Sequence, residues 1–510
     1  KLIHGGLRYL REGDIGLVFE AVNERQLLLS VAPHLVQPLP FLIPVYQGDF
    51  PGLFALDLGL WAYEGMCLFR TPGRHRIRRA ADTIALEPSI GRDRLKGSLT
   101  YFDGATDDSR LTLENALDAE AHGAVIATYA EVTGFHFADG DQGRIAGVVV
   151  ADALGSDGPR PAARVRAKVT INAAGPWMDR LLAMSTPDAQ AMARVVPAKG
   201  VHLVVDSRRL PATHAVVMAA PTDKRVVFTL PTPRLARAGV GRTVIGTTDT
   251  LYEGDRDRLG PDADDVAYLL GCANHYFPDA KLTPDDVLAT WTGLRPLMAP
   301  KQSETNMSAI SREHTLFAQP GLISVAGGKL TTFRRIAAQL VDAALKQLDG
   351  ITVRPCDTAT ALFPGAEGIT ADEHGVHGPS LASLGPVFAS VDAATHAHLL
   401  GTYGSRLQSL APYLATAGGS ARIDPELPFL TAEIDLAVTE EWAQRLDDVL
   451  SRRVPLALWA RDQGLGVAAA VADRMGDRLG WSERRRQEEV SHFRQVVALS
   501  RQFRSVGAGV

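Results

Sequence analysis

His4-Gly5-Gly6-Leu7-Arg8-Tyr9 packs an imidazole, two glycines and a guanidinium into six residues. Histidine titrates near neutral pH and can move a proton, and arginine matches a phosphate with two parallel hydrogen bonds. A second word, Asn172-Ala173-Ala174-Gly175-Pro176-Trp177, follows an apolar strand and precedes a helix beginning near Met178. Its small residues let backbone approach a ligand closely, and the helix start turns free N–H groups and a positive dipole towards an anion such as a pyrophosphate. A third, Gly327-Gly328-Lys329-Leu330-Thr331-Thr332, repeats the strand-turn-helix pattern and adds a point charge at Lys329. It lacks the G-x-x-x-x-G-K spacing of a Walker loop. The fourth is Thr292-Gly293-Leu294-Arg295-Pro296-Leu297, where a glycine and a proline fix the backbone around Arg295. Each word has a plainer use taken alone: a tight turn, an exposed lysine, a structural histidine, a surface ion pair.

The elements that must position these words alternate between helix and strand. Residues 17 to 32 and 108 to 122 show helical spacing, the first stopped by Pro33, and Ala124 to Ala130 is predicted as a strand. Strands are predicted at 147–151, 164–172, 201–205, 225–230 and 243–245, together suggesting a large sheet domain interleaved with the first. The last strand, 322–326, feeds the Gly327 turn and a helical pattern over 330–348, a phosphate or flavin setting. Proline and glycine then loosen the chain from about 350 to 384, and beyond 385 the segments 399–410, 440–452, 455–462 and 484–504 read as helices.

Composition narrows the class. With 46% hydrophobic and 22% charged residues and a net charge of -5, the 510-residue chain is globular, large enough for two or three domains, and has no nucleic-acid-binding character. Cys67, Cys272 and Cys356 lie far apart, so neither a disulfide framework nor a metal site is expected and a cytoplasmic location fits. The apolar run near Gly52 to Met66 carries Asp57 and Glu64 and is too short to span a bilayer.

Taken in order, KLIHGGLRYL, NAAGPW, KGVHLVV from Lys199, DKRVVF with IGTTD ending at Asp249, TGLRPL and GGKLTTFR resemble the FAD-dependent glycerol-3-phosphate dehydrogenases of the D-amino-acid-oxidase-like flavoprotein group. The likeness covers residues 1 to about 340, and EEWAQRLDDVLSRR from Glu440 resembles that family's helical tail. It implies an α/β FAD-binding domain, Rossmann-like and of glutathione-reductase type, interleaved with an antiparallel-sheet substrate domain over 1–350, a linker over 351–384 and an all-α C-terminal domain over 385–510. It implies oxidation of sn-glycerol 3-phosphate to dihydroxyacetone phosphate, with His4 as base and Arg295 opposite the developing alkoxide. Arg8, Tyr9 and Lys329 would clamp the phosphate, with Arg295 helping to bind it. Lys1, Leu2, Val132, Ala174, Gly175, Trp177, Gly328, Lys329, Leu330, Thr331 and Thr332 would hold FAD, while Lys199, His202, Arg225 and Asp249 are second-rank residues of the substrate sheet.

In the family, a βαβ unit bearing G-x-G-x-x-G precedes the segment matching Lys1. This sequence contains no such spacing, so about 45 residues of family pattern are expected to be missing ahead of Lys1, and a fragment unable to retain FAD is one alternative. The resemblance implies quinone as electron acceptor, with an oxygen-using oxidase the alternative. The basic stretch Arg70 to Arg79 is suited either to peripheral contact with anionic lipid or to a solvated loop. A homodimer is compatible with all of this. An amino-acid-oxidising flavoenzyme would have no use for the cluster Arg8, Arg295 and Lys329.

Overall fold

The structure is a computed structural model that describes residues 1–7, 13–66, 68–155, 161–185, 195–232, 235–236, 239–298 and 314–507. Its largest element is a ten-stranded sheet. The strands run Leu2–Ile3, Leu95–Thr106, Val36–Tyr46, Ala215–Ala219, Val226–Pro231, Arg242–Gly246, Val195–Asp206 and Thr250–Leu251. Val287–Met298 also pairs with Val195–Asp206, and Arg76–Arg79 with Leu95–Thr106. Pairing is antiparallel except where Ala215 and Val216 meet Phe41 and Leu42.

Side chains alternate across a strand, so this sheet has two faces with different duties. On the outer face Val201, Leu203, Val205, Val227 and Ile245 pack against Val266, Leu269 and Ala273 of the helix Ala263–Tyr276. On the inner face, one end carries Phe41, Leu99 and Tyr101 beneath the helices Ile15–Val31 and Leu53–Met66. The other end carries Val204, Val244 and Ala289, which join one core with Ile434, Val449 and Phe493 of the C-terminal helices.

The Rossmann-like part expected from the sequence is built around the parallel pair Thr170–Asn172 and Leu322–Ala326, with Thr315–Gln319 antiparallel to the latter. The helix Phe333–Leu345 packs on one side through Ile336 and Leu340, and Met178–Ala183 on the other through Met178 and Leu182. A three-stranded antiparallel sheet of Ala130–Ala138, Asp141–Asp152 and Ala162–Arg166 lies alongside. Three expectations need correction. The run 124–130 is not a strand; the strand begins at Ala130, after a turn that places Tyr129 at φ +58°. The single strand expected over 164–172 is two, in different sheets, and with 147–151 it stands outside the large sheet. The helix expected over 440–452 is instead the end of Thr431–Glu440 followed by a π-helix, Asp448–Arg453.

The helical tail is fastened to the rest by buried charge. Arg110, in the helix Asp108–Ala121, donates to Glu114 and to Glu441 at 2.6 Å each, and Arg406 closes on Glu114 at 2.7 Å. Both carboxylates are fully buried, and together they hold the Arg110 guanidinium more basic than usual. Removing one partner would leave charge stranded without solvent. Glu441→Ala is therefore expected to lower unfolding free energy by about 3 kcal/mol; a denaturant midpoint unchanged from the parent would show the network to be dispensable.

Candidate active site

The strand Leu2–Ile3 delivers His4 to the turn after Ala326. There Thr331 makes two bonds to one residue: its Oγ1 accepts the His4 N–H at 3.1 Å and donates to the His4 carbonyl at 3.1 Å. The turn itself depends on glycine, since Gly327 and Gly328 take φ +77° and +92°. A Cβ on Gly328 would also lie 2.6 Å from Ile336 Cδ1. Leu330–Thr332 then forms a single 3₁₀ turn ahead of the helix Phe333–Leu345, with Leu330 exposed and Thr331 and Thr332 buried. Lys329 is the residue that caps it.

Arg295 lies on the inner face of the large sheet. Its guanidinium donates to the Thr248 carbonyl (3.2 Å), Asp249 Oδ1 (3.1 Å) and Thr247 Oγ1 (3.2 Å), so TGLRPL and IGTTD form one structure. It sits directly over Gly200, where a Cβ would come within 2.7 Å of Nη2. Beside it His202 stacks on Trp291, rings 4.6 Å apart and 9° from parallel. Burial, assisted by the amine of Lys1 and by Arg295, pulls the His202 pKa down to about 3.

Lys199, three residues earlier on the strand, belongs to the opposite face. Its ammonium binds Asp262 and Asp265, both at 2.6 Å, in the capping box of the helix Ala263–Tyr276. Its role is in the outer scaffold. Arg225 donates to the Asp249 carbonyl and so braces the loop that holds Arg295.

The NAAGPW turn is braced by Asn172, whose side chain accepts the Ala174 N–H (3.3 Å) and donates to the Met178 carbonyl (3.1 Å) and to Ser324 (3.3 Å). Gly175 has φ +54°. A Cβ there would meet nothing within 4 Å, so the turn borders open space. The Trp177 indole donates to Asp257 at 2.9 Å, and Arg256 binds Asp179 and the Pro176 carbonyl. Met298, at the end of the strand that carries Arg295, packs against the core of Met178, Leu322 and Ala326, which joins that strand end to the strand before the Gly327 turn and to the helix after NAAGPW.

Among the remaining expected residues, Lys1 binds Asp107 (3.3 Å) and Asp108 (2.6 Å) at the start of the helix Asp108–Ala121, and Leu2 pairs with Ala105. Val132 stands at a bulge in Ala130–Ala138. Arg8 and Tyr9 lie outside the described residues.

Residues 1–343 match the family described as FAD dependent oxidoreductase, and residues 356–486 the C-terminal domain of alpha-glycerophosphate oxidase. The chain belongs to the glycerol-3-phosphate dehydrogenase/oxidase family of FAD-dependent oxidoreductases. It is 31% identical to a glycerol-3-phosphate dehydrogenase of Synechocystis, over 98% of this chain and 88% of that one. The aerobic glycerol-3-phosphate dehydrogenase of Staphylococcus epidermidis is also 31% identical, over 96% and 85%. A crystal structure of the Bacillus halodurans glycerol-3-phosphate dehydrogenase complexed with FAD superposes with a TM-score of 0.74 at 28% identity, over 98% and 86%.

FAD is the cofactor of this family, and the residues fit it. The NAAGPW and Gly327 turns both carry left-handed glycines, and the first opens onto free space at Gly175. Such turns let an extended dinucleotide approach backbone N–H groups where side chains would block it. Sequence reading missed the contacts of Thr331 with His4, Asn172 with Ser324 and Asp257 with Trp177, because each joins residues far apart in the chain.

The His202 environment gives a pH test. In the unfolded chain its pKa is the ordinary value of about 6.5, and folding depresses it to about 3. Below about pH 6.5 the unfolded state takes up the proton more readily than the folded one, so stability falls as pH drops from there towards 3. His202→Gln should remove about 2 kcal/mol of the loss seen between about pH 7 and about pH 5. Urea midpoints at the two pH values measure it, and parallel shifts in parent and variant would contradict the assignment.

Proposed function

We propose that the protein oxidises sn-glycerol 3-phosphate to dihydroxyacetone phosphate and passes the electrons to a membrane quinone. The observation that carries this is the Thr331 bridge, which holds His4 against the Gly327 turn in a chain of the glycerol-3-phosphate dehydrogenase/oxidase family. In this reading FAD, when bound, accepts the hydride leaving C2 of the substrate. His4 takes the proton of the C2 hydroxyl, which must depart as the carbonyl forms. Arg295, already fixed by Thr247, Thr248 and Asp249, presents charge to the developing alkoxide without having to reorganise. Arg8, Tyr9 and Lys329 bind the phosphate. The amides of Gly328 to Thr332 would hold the flavin, and Lys1, Leu2, Val132, Ala174, Gly175 and Trp177 would line the cofactor groove. Residues 1–350 act as the oxidoreductase unit and 385–510 as the helical one, joined by 351–384; the break between the two family matches supports the boundary near 350, the second match beginning at 356.

A quinone acceptor calls for a surface that meets the membrane. Among the described residues no helix is long and apolar enough to cross one. Support for peripheral contact comes from the helix Leu53–Met66 and the residues around it: Phe50 (94% exposed), Phe54 (81%), Leu58 (64%) and Trp61 (50%) form an apolar surface, with Arg70, Arg74, Arg76 and Arg79 exposed close by in the chain. Apolar side chains bordered by arginine are suited to the anionic headgroup region.

Four measurements test this reading. Anaerobic sn-glycerol 3-phosphate should bleach the flavin absorbance of the FAD-loaded protein, and His4→Ala should cut turnover about 100-fold; glycerol bleaching it equally well would remove the phosphate clamp. Phe54→Ser with Trp61→Ser should weaken sedimentation with phosphatidylglycerol vesicles about tenfold. Rapid oxygen consumption without quinone would mark the protein as an oxidase.

A further inference from the structure

Behind His4 lies a buried charge cluster that the reaction above does not use. Asp103, on the strand Leu95–Thr106, accepts the Gly5 N–H at 3.2 Å and the Tyr63 hydroxyl at 2.9 Å, and it pairs with the Arg25 guanidinium. Arg25 also donates to the Tyr63 hydroxyl at 2.9 Å and to the Phe102 carbonyl at 3.2 Å. Arg25 is fully buried, Asp103 is 3% exposed and Tyr63 1%. Burial pushes the Tyr63 phenol well above its ordinary pKa, so it remains a neutral donor. The three side chains come from two helices and a strand.

Stability alone is a poor reason for such a cluster. Desolvating a carboxylate and a guanidinium costs about as much as their attraction returns, and apolar side chains of similar volume often hold elements together as well or better. What apolar side chains cannot do is receive a backbone N–H. The Gly5 N–H belongs to the same peptide group as the His4 carbonyl, and that carbonyl is the one Thr331 holds. One peptide plane is thus gripped from both sides, by a hydroxyl and by a carboxylate. The fit is close: a Cβ on Gly5 would lie 2.1 Å from the Tyr63 oxygen and 2.4 Å from Val22 Cγ1. Arg25 balances the charge of Asp103, so the grip fixes direction without setting an unbalanced anion behind the imidazole.

We propose that Asp103 is a positioning residue for the proton transfer assigned to His4, with Arg25 and Tyr63 holding its carboxylate on the Gly5 N–H. The proposal rests on the reading of His4 given above. Misplacement of a reacting group by about 1 Å can cost about 100-fold in rate.

The test uses the FAD-loaded protein and four proteins side by side: the parent, Asp103→Asn, Tyr63→Phe, and the double variant Arg25→Met with Asp103→Leu. The double variant removes both charges, so it should keep the parent's melting temperature and FAD content while kcat falls about 10-fold to 100-fold and KM stays put. Asp103→Asn should lower kcat with a shifted pH profile, since the balance of charge behind His4 changes. Tyr63→Phe loses only a hydroxyl and should show a smaller fall in kcat with unaltered KM, which keeps the test decisive if the double variant does not fold. Parent-like kcat in a folded double variant, or parent-like kcat and pH profile in Tyr63→Phe and Asp103→Asn, would overturn the positioning role alone. A parent whose flavin is not bleached by sn-glycerol 3-phosphate, or a fully active His4→Ala, would overturn the functional reading and this proposal with it.

Discussion

A single peptide group, the one joining His4 to Gly5, sets the terms for much of the architecture. Its carbonyl is held by Thr331, 327 residues further along, and its N–H by Asp103. The strand Leu2–Ile3 is too short to have a fixed direction of its own, so these contacts supply it. They in turn require that the Gly327 turn keep its left-handed glycines and that the helix after it start in register. Arg334 pairs with Glu24 at 2.5 Å and ties that helix to Ile15–Val31, the helix that carries Arg25. Chemistry and framework meet where the chain could least afford slack.

The large sheet separates two tasks by parity. On the strand Val195–Asp206, Lys199, Val201 and Leu203 serve the outer face, whereas Gly200, His202 and Val204 serve the inner one. A shift of one residue would exchange them and bury the lysine beside Arg295. Gly200 shows how tightly the inner face is specified, because only a residue without a side chain leaves room for the guanidinium above it.

Much of this could be read from the chain. The helices at Ile15–Val31 and Asp108–Ala121 and the strand Leu322–Ala326 follow from periodicity, and the motifs stand at their ends as glycine and small-residue turns require. Other elements were hidden. Val36–Tyr46 contains Pro38, Pro40 and Pro44, which argue against a strand in mid-sheet; yet they fall on alternate residues, so their missing N–H groups all belong to one edge. The strand expected over 164–172 breaks because Ala167 turns to bond Ala146. Asp103 gave no signal at all, since a lone aspartate within an apolar strand takes its meaning from Arg25 and Tyr63, 78 and 40 positions away.

The core shared by Val204, Val244 and Ala289 with Ile434, Val449 and Phe493 has a consequence for biosynthesis. Ile434 follows Val204 by 230 residues, so at translation rates of about 5 to 20 residues per second that end of the sheet waits roughly 10 to 50 s for its cover. During that interval the nascent chain displays an apolar sheet face. That face is covered only when the last helices emerge.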